Sequence, residues 1–216
     1  MSSQAGGRRP PAARRDQART RLARTAVVAA ARELFLERGY GTTTIEAISE
    51  RADVPPATVY RLFSSKHGIL KALLDVAIVG DEQEIPMGER PEVRSLLADP
   101  DPRVQLAGFV AITVQVNTRV APLYGILVSA AGTDPDAADQ LDELTRQRQQ
   151  GQRAIARSLA RAGALAPHLR ERDAADLIHA LLSPELYRLL VLDRGWSPDR
   201  YARWLEAAVA AQLLRP

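Results

Sequence analysis

Two short segments, at 44–52 and 56–62, carry apolar residues at helical spacing and lie close together in the chain. The residues ADVP at 52–55 end the first segment after about two turns, because the residue before a proline is driven out of the helical region. Thr44 is a favourable N-cap for the first segment, and Pro56 suits the first turn of the second. The sequence therefore predicts two short helices joined by a tight turn.

A longer helical segment precedes this pair, and another follows it. The first ends at Gly39, where a left-handed glycine commonly terminates a helix. The apolar stripe of the first segment is Val27, Ala31, Leu34 and Phe35, and that of the last, which begins near Lys66, is Ile69, Leu70, Leu73 and Leu74. A supporting helix followed by two short helices is the helix-turn-helix pattern, although helical hairpins are common and this pattern alone is a weak signal.

The two sides of the predicted helix pair differ in chemistry. The inner side supplies a small core of Ile45, Ile48, Val54, Val59 and Phe63. The outer side of the second helix presents Pro56, Ala57, Thr58, Tyr60 and Arg61. These outer residues form the candidate binding surface.

Composition favours a mainly helical protein. The 216 residues include 46% hydrophobic and 25% charged residues, enough for one large or two small domains with a buried core. Aromatic residues make up only 5% and alanine is abundant, which favours helix over sheet. The lack of cysteine excludes disulfides, thiolate metal sites and cysteine nucleophiles. There is no uncharged apolar run long enough for a membrane span, and the arginine-rich N-terminus lacks the apolar segment of a secretory signal, so we expect a cytoplasmic protein.

Charge is distributed unevenly along the chain. Residues 1–75 contain 13 Lys and Arg against 7 Asp and Glu, whereas residues 76–216 contain 16 against 19. A basic N-terminal third suggests contact with a polyanion, although surface charge is also uneven in proteins without such a role. Residues 1–21 hold six arginines, one acid and almost nothing apolar, so we expect a disordered basic arm. This arm either follows DNA or only adds solubility, and the sequence does not decide between the two.

More specific markers occur between Ala31 and Leu73. The first helix ends with Phe35 and Gly39-Tyr40, and threonines open the next helix. The remaining markers are Ala57-Thr58-Val59-Tyr60, Phe63, Ser65-Lys66 and Leu70. In this order they resemble the DNA-binding domain of the tetracycline-repressor (TetR) family. The resemblance covers the first third of the chain, and the rest matches only as a helical tail of suitable length.

The resemblance implies that the helix at 56–62 enters the major groove of DNA. Phosphate contacts are then expected from Thr44, Thr58, Tyr60 and Lys66, and base contacts from Pro56, Ala57 and Arg61. An arginine can bind guanine bidentately, and small apolar groups touch thymine methyl groups. The alternatives are a buried core position for Tyr60 and a solvated charge for Arg61.

Two residues depart from the family pattern. Asp53 stands at the usual turn glycine, and aspartate tolerates left-handed geometry at some cost. Pro55 replaces the usual serine cap of the recognition helix, so this cap is either absent or supplied by Asp53. If these two departures change the angle at which the recognition helix enters the DNA groove, the expected base contacts are affected more than the expected phosphate contacts.

The rest of the chain is predicted to be helical. A proline-containing linker at 80–102 includes a short helix at 92–98. Longer helices are expected at 103–120, at 123–131 after Pro122, from the turn at 132–135 up to Arg161, at 173–192 with a kink at Pro184, and at 198–214. Gln147, Gln149, Gln150 and Gln152 are expected on a solvent-facing side.

A candidate effector pocket consists of Phe109, Thr113, Asn117, Tyr124 and His179. Thr113 and Asn117 lie four apart on an otherwise apolar helix. Buried polar groups need partners, which are either a ligand or groups of the protein itself. For His179, hydrogen bonds within the protein are the simpler explanation.

The last two helices carry enough apolar surface to pack either inward or against a second copy. The resemblance implies a four-helix dimer interface formed by Leu177, Leu181, Tyr187, Tyr201, Trp204, Leu205 and Ala208. A symmetric dimer places two recognition helices on two half-sites, so the operator is expected to be a pseudo-palindrome.

The sequence thus predicts an all-α fold with an N-terminal three-helix DNA-binding domain and a C-terminal helical domain for ligand binding and dimerisation. The expected boundaries are 1–21 for the basic arm, 22–79 for the DNA-binding domain with its linking fourth helix, and 80–216 for the effector-binding and dimerisation domain. The expected function is that of a TetR-like repressor, released from double-stranded DNA by a small molecule.

Other functions remain as alternatives. A helical enzyme that binds a small substrate is disfavoured, because HExxH, GxSxG, P-loop and GxGxxG motifs are absent and His67, His168 and His179 lie far apart. A DNA-binding protein without an effector would have a solid C-terminal core. Neither a cofactor nor a metal is expected, and the sequence does not identify the effector, the operator or the sign of regulation.

Overall fold

The described part of the chain folds into helices. The computed structural model describes residues 12–80 and 90–215, with side chains from Asp16 onward. The helices are α1 (Ala12–Arg38), α2 (Ile45–Ala52), α3 (Pro56–Phe63), α4 (Lys66–Val79), α5 (Pro91–Leu97), α6 (Pro102–Ala131), α7 (Pro135–Arg161), α8 (Glu171–Leu181), α9 (Pro184–Tyr187), a π-helical segment (Arg188–Asp193) and α10 (Pro198–Leu213). Within the described residues there is no strand, only an isolated bridge between Leu165 and Leu214. The predicted all-α fold is confirmed.

Contacts divide the chain into an N-terminal unit, Met1–Leu73, and a C-terminal unit, Leu74–Pro216. The core of the N-terminal unit lies where α1 packs against α2 and α3. Its buried side chains include Val27, Ala31, Leu34, Phe35, Ile45, Ile48, Val59 and Phe63. The predicted apolar stripes of α1, α2 and α3 are therefore the faces that the fold buries, because each helix alone would leave its stripe in water.

Helix α1 begins earlier than the sequence pattern indicated. It starts at Ala12, so the prediction of disorder is wrong for residues 12–21, and residues 1–11 lie outside the described part of the chain. The physical reason is that extending a helix whose later turns are already packed avoids the unfavourable nucleation step. Alanine and arginine are also strong helix formers, and they dominate this segment.

The turn between α2 and α3 has the geometry that the sequence indicated. The Thr44 side chain caps α2 by accepting a hydrogen bond from the backbone N–H of Ala47. At the other end, Asp53 adopts left-handed geometry with φ of 52° and ψ of 42°, and its N–H bonds the carbonyls of Ser49 and Glu50. The N-cap of α3 is Pro55, which has no side-chain cap, so Asp53 does not replace the serine.

Helix α6 is the central helix of the C-terminal unit and packs on α7, α9 and α10. It runs unbroken from Pro102 to Ala131, so the predicted break at Pro122 is wrong. A proline inside a helix removes one backbone hydrogen bond, and here the neighbouring Ala121 and Leu123 are almost completely buried, which keeps the helix continuous. By length and composition alone α6 could cross a membrane, but this is weak support because a core helix of a globular unit meets the same criterion.

A single kinked helix at 173–192 is also not observed. The chain instead leaves helical geometry after Leu181 and begins α9 at Pro184. Ser183 caps this new helix through a bond from the N–H of Leu186. Because a proline is favourable in the first turn of a helix, Pro184 starts a helix here rather than bending one.

We expect the left-handed turn residue to control the stability of the N-terminal unit. Replacing the exposed Asp53 by glycine should raise the free energy of unfolding by less than about 1 kcal/mol, because glycine carries no steric penalty at positive φ. Asp53→Val should lower it by more than about 1 kcal/mol, because a β-branched side chain fits this region poorly. Urea denaturation measures both changes. Asp53→Asn is the matched control and should leave the free energy of unfolding unchanged. An Asp53→Val variant as stable as the unmodified protein would show that the left-handed turn residue does not control stability.

Candidate functional site

The outer face of α3 is exposed as a contiguous surface. Pro56, Ala57, Tyr60 and Arg61 are exposed, whereas Val59 and Phe63 on the opposite face are buried. Thr58 lies at the boundary and is half-buried. The Tyr60 side chain is 47% exposed, so Tyr60 is not a core aromatic. This face offers a phenol, a guanidinium group and small apolar groups to a binding partner.

Thr44 combines two roles at the start of α2. Its side-chain oxygen accepts the N–H of Ala47 at 3.1 Å, and the residue is exposed. A hydroxyl that accepts one hydrogen bond still has its own hydrogen to donate. Thr44 can therefore cap α2 and donate to an anion at the same time, at a helix end that favours negative charge.

Lys66 is engaged within the N-terminal unit. Its ammonium group donates to the carbonyls of Tyr40 at 2.7 Å and Thr43 at 2.9 Å, and it lies 4.3 Å from the centroid of the Tyr40 ring. These contacts fasten the start of α4 to the loop that precedes Thr44. The phosphate contact implied by the family resemblance stays a prediction for Lys66, and within the N-terminal unit its ammonium group holds the loop before Thr44 in place.

Two further arginines support the site and were not identified from the sequence. The guanidinium group of Arg24 lies 4.8 Å from the centroid of the Phe63 ring, at the end of α3. Arg51 on α2 pairs with Glu33 at 2.9 Å and Glu37 at 3.7 Å on α1, and the hydrogen bond to Glu33 is the main reason that the pKa of Arg51 is raised. The spacing of Glu33 and Glu37 on one side of α1 was the only sequence signal for the second of these contacts.

The predicted pocket residues of α6 bond to the protein itself. Thr113 donates to the carbonyl of Phe109 at 2.9 Å, one turn earlier in the same helix. The buried Asn117 side chain donates to the carbonyl of Leu182 at 3.3 Å. The sequence left open whether Thr113 and Asn117 bond a ligand or the protein, and in the structure both bond backbone carbonyls of the protein.

Tyr124 and His179 lie in a polar cluster of α6, α7, α8 and α9, which also contains Arg148, Gln152 and Glu185. The Gln152 side chain is buried and lies 2.7 Å from Nδ1 of His179, so its predicted solvent-facing position is wrong. Burial and the neighbouring Glu185 raise the pKa of Tyr124 to about 12. Burial, followed by the charge of Arg148, lowers the pKa of His179. Both side chains are therefore neutral at neutral pH.

A separate cavity of about 200 Å³ lies on another side of α6. Its lining includes the end of α4, the start of α5 and the middle of α6, namely Val79, Gly80, Arg90, Glu92, Val93, Ile112, Gln115, Val116 and Arg119. None of the five predicted pocket residues lines it. The sequence does not indicate this cavity, because its lining residues come from three helices that lie apart in the chain. Over the described residues there is no group of three or more His, Asp or Glu placed to hold a metal ion.

The predicted dimer residues separate into two classes. Tyr187, Tyr201 and Leu205 are at most 1% exposed within one chain, so their assignment to a surface between copies is wrong. The rings of Tyr187 and Tyr201 meet edge to face at 5.0 Å in the core. Leu177, Leu181 and Ala208 are half-buried, and Trp204 is exposed. Leu189 and Leu192 of the π-helical segment are also exposed and were not predicted.

Comparison with known proteins connects the N-terminal unit with bacterial regulators. A family model described as "Bacterial regulatory proteins, tetR family" matches residues 27–73. The HTH-type transcriptional regulator TcmR of Streptomyces glaucescens is 36% identical over 78 residues, which are 35% of this chain and 34% of TcmR. The HTH-type transcriptional regulator YdeS of Bacillus subtilis is 28% identical over 175 residues, 77% of each chain. The match thus spans only about a third of TcmR but most of YdeS.

Solved structures resemble most of the chain. Crystal structures of NalD, the secondary repressor of the MexAB-OprM multidrug efflux pump in Pseudomonas aeruginosa, superimpose with TM-scores of 0.72 and 0.68 at 22% and 25% identity. The first covers 91% of this chain and 98% of NalD, and the second covers 89% and 97%. The similarity therefore extends over the C-terminal helices as well as the helix-turn-helix.

We expect Lys66→Met to lower the free energy of unfolding by about 1–3 kcal/mol, because the carbonyls of Tyr40 and Thr43 lose a charged donor. Thermal or urea denaturation measures the loss. Lys71→Met is the matched control, since Lys71 is an exposed lysine on the same helix. This substitution should leave the free energy of unfolding unchanged. Unchanged stability of Lys66→Met, combined with a salt dependence of DNA binding reduced by about one phosphate contact, would instead place Lys66 at the DNA.

Proposed function

We propose that the chain is a TetR-family, sequence-specific DNA-binding transcriptional regulator, because residues 27–73 match the family model of these bacterial regulatory proteins. In this proposal it represses transcription and is released from its operator by a small molecule. The observation that carries the proposal is the exposed outer face of α3, whose opposite face is fixed in the core. We assign DNA binding to residues 22–79 and effector binding with dimerisation to residues 80–216. The expected location is the cytoplasm.

The chemistry of the α3 face suits a DNA groove. An exposed guanidinium group on Arg61 can bond O6 and N7 of a guanine, and Pro56 and Ala57 can lie against thymine methyl groups. Tyr60 and Thr44 carry exposed hydroxyls that can donate to phosphates, which fixes the orientation of the helix without reading sequence. The net positive charge of the first 75 residues adds attraction for any DNA sequence.

A homodimer is part of the proposal. Leu189, Leu192 and Trp204 expose apolar side chains near the end of the chain. Trp204 meets Trp196 edge to face at 5.8 Å, and the guanidinium group of Arg200 lies 3.9 Å from the Trp196 ring. Apolar patches with aromatic residues are typical of protein interfaces. A two-fold dimer would present two copies of α3 to a pseudo-palindromic operator.

The presence of the cavity beside α5 and α6 favours a regulator with an effector over one without. A ligand that binds more tightly to the conformation that cannot bind DNA shifts the population towards that conformation. NalD, which is similar to this chain along most of its length, is a repressor, and this similarity supports repression rather than activation as the working assignment. No observation in the described residues favours the alternative of a helical enzyme.

Selection of bound duplexes from a random DNA pool, with the unmodified protein, tests sequence-specific binding. Arg61→Ala should reduce preference for one base pair in each half-site by about 1–3 kcal/mol. Tyr60→Phe should weaken binding to all sequences similarly, because it removes a phosphate contact. Arg32→Ala, which changes an exposed arginine on α1, is the control for loss of charge. If no preferred DNA sequence is recovered, the proposal is refuted. If Arg61→Ala lowers the affinity for all DNA sequences equally, Arg61 contacts a phosphate rather than a base.

Sedimentation at micromolar concentration tests the dimer. Leu192→Glu should shift the protein towards the monomer, because it buries a charge in the proposed interface. Val104→Glu is the matched control, since Val104 is an equally exposed apolar residue on α6 and should leave the dimer intact. A monomeric unmodified protein, or a fully dimeric Leu192→Glu variant, would contradict this interface.

A further inference from the structure

We propose that Ser64 and Gly68, at the junction of α3 and α4, are positioning residues that fix the orientation of α3 and thereby its selectivity among DNA sequences. The inference rests on the DNA-binding function proposed above. It adds two residues that control base selectivity from outside the exposed face of α3. Both residues lie in the N-terminal unit, Met1–Leu73.

Ser64 makes an unusual turn directly after α3. Its φ of 64° and ψ of −36° lie in the left-handed half of backbone space, which residues other than glycine rarely adopt. Across this residue, the N–H of Ser65 donates to the carbonyl of Phe63 at 2.7 Å. The segment is therefore a γ-turn with positive φ, a rare and strained type. Such strain persists only where the surrounding contacts outweigh it.

Gly68 provides one of these contacts by leaving space for the end of α3. A Cβ atom placed on Gly68 would lie 2.0 Å from the carbonyl oxygen and 3.1 Å from the carbonyl carbon of Phe63. The last carbonyl of α3 therefore occupies the space that any other residue at position 68 would fill. The approach is also electrostatically favourable, because the end of one helix carries partial negative charge and the start of the next carries partial positive charge.

Two further contacts complete the junction. Oγ of Ser65 accepts a hydrogen bond from the N–H of Gly68 at 3.0 Å, which caps the start of α4. On the α1 side, the guanidinium group of Arg24 lies 4.8 Å from the centroid of the buried Phe63 ring. Phe63 is thus held by its carbonyl against α4 and by its ring against α1. These contacts fix the end of α3 from two sides.

The position of Phe63 determines where the exposed side chains of α3 lie. Tyr60 and Arg61 are three and two residues earlier in the same eight-residue helix, so a displacement of its end moves them too. A bidentate contact from arginine to guanine needs donor–acceptor distances of about 2.7–3.2 Å, and a shift of about 1 Å breaks it. General attraction to phosphates depends on charge and tolerates such a shift. Base selectivity is therefore the property that depends on the junction.

The ratio of the affinities for the selected duplex and for a scrambled duplex of the same length tests the inference. A protein that is only destabilised has a smaller folded fraction, which lowers both affinities by the same factor and leaves the ratio unchanged. A reoriented α3 lowers the ratio itself. Fluorescence anisotropy at one fixed salt concentration measures both affinities, and circular dichroism measures the folded fraction.

Gly68→Ala should lower this ratio about tenfold or more, because the Phe63 carbonyl oxygen must move by about 1 Å to make room for a Cβ atom. Gly41→Ala is the matched control, since Gly41 is exposed and a Cβ atom there would meet nothing within 4 Å. Leu34→Val, in the buried core of the same unit, is the control for lost stability and should keep the ratio. A folded Gly68→Ala protein that keeps the ratio would overturn the role of Gly68.

Two substitutions separate the turn at Ser64 from its hydroxyl group. Ser64→Gly removes the hydroxyl but favours positive φ, so it should keep the ratio and raise the midpoint of urea denaturation. Ser64→Thr keeps the hydroxyl but adds a branched Cβ that opposes this φ, so it should lower the ratio. A Ser64→Thr protein that keeps the ratio, or a Ser64→Gly protein that loses it, would overturn the role of the turn. If Gly68→Ala does not fold, this pair decides the inference.

The outcomes distinguish a failure of this inference from a failure of the proposed function. If the unmodified protein prefers no DNA sequence, the regulator function fails and the inference fails with it, although the urea midpoint of Ser64→Gly still reports whether the turn is strained. If the unmodified protein prefers a sequence and the variants at positions 64 and 68 keep the ratio, only the inference fails.

Discussion

The reversal of the chain between α2 and α3 depends on one left-handed residue, Asp53. With a φ of 52° at this position, α3 leaves α2 at an angle that places Val59 in the core and Tyr60 and Arg61 outside. If the turn were more open, the apolar faces of the two short helices could not both be buried against α1. An eight-residue helix such as α3 has little stability of its own, so its orientation follows from this burial. The exposed outer face of α3 is therefore a consequence of the packing on its opposite side.

Basic side chains repeatedly satisfy backbone carbonyls in this fold. Lys66 donates to the loop before α2, Arg119 and Arg90 donate to the end of α4, and Arg215 donates through Nε to the carbonyl of Leu165. Exposed ion pairs such as those of Arg51 contribute little to stability because water competes for both charges. A charged donor at a partly buried carbonyl has less competition. These contacts fix the ends of helices, which are the positions where a helical fold has unpaired polar groups.

Local features were predictable from the sequence because they depend on neighbouring residues alone. The cap at Thr44, the start of α3 at Pro56 and the left-handed Asp53 follow from side-chain and backbone chemistry within a few positions. The apolar stripes of α1 to α4 were likewise predictable from helical spacing. The contacts of Lys66 with Tyr40 and Thr43 were not, because they join residues more than 20 positions apart. A basic residue near DNA-binding helices has the same appearance in the sequence whether it meets a phosphate or a carbonyl.

The C-terminal unit was less predictable for a related reason. Helical spacing identifies an apolar face, but it does not tell whether that face meets the same chain or a second copy. Tyr187, Tyr201 and Leu205 were assigned to a dimer and instead form the core of one chain. Gln152 resembled a solvent-facing residue in a glutamine-rich segment, and only the fold brings it to His179. Pro122 lies within α6 because burial of its neighbours outweighs one missing hydrogen bond.

The two polar regions of the C-terminal unit differ in how they would respond to a ligand. In the polar cluster, His179 is neutral at neutral pH because burial and Arg148 lower its pKa, and its ring already has Gln152 as a partner. A ligand there would have to replace contacts that side chains of the protein make with each other. Arg119, by contrast, donates to the backbone carbonyls of Ala77 and Ile78, so main-chain groups rather than another side chain hold its guanidinium group.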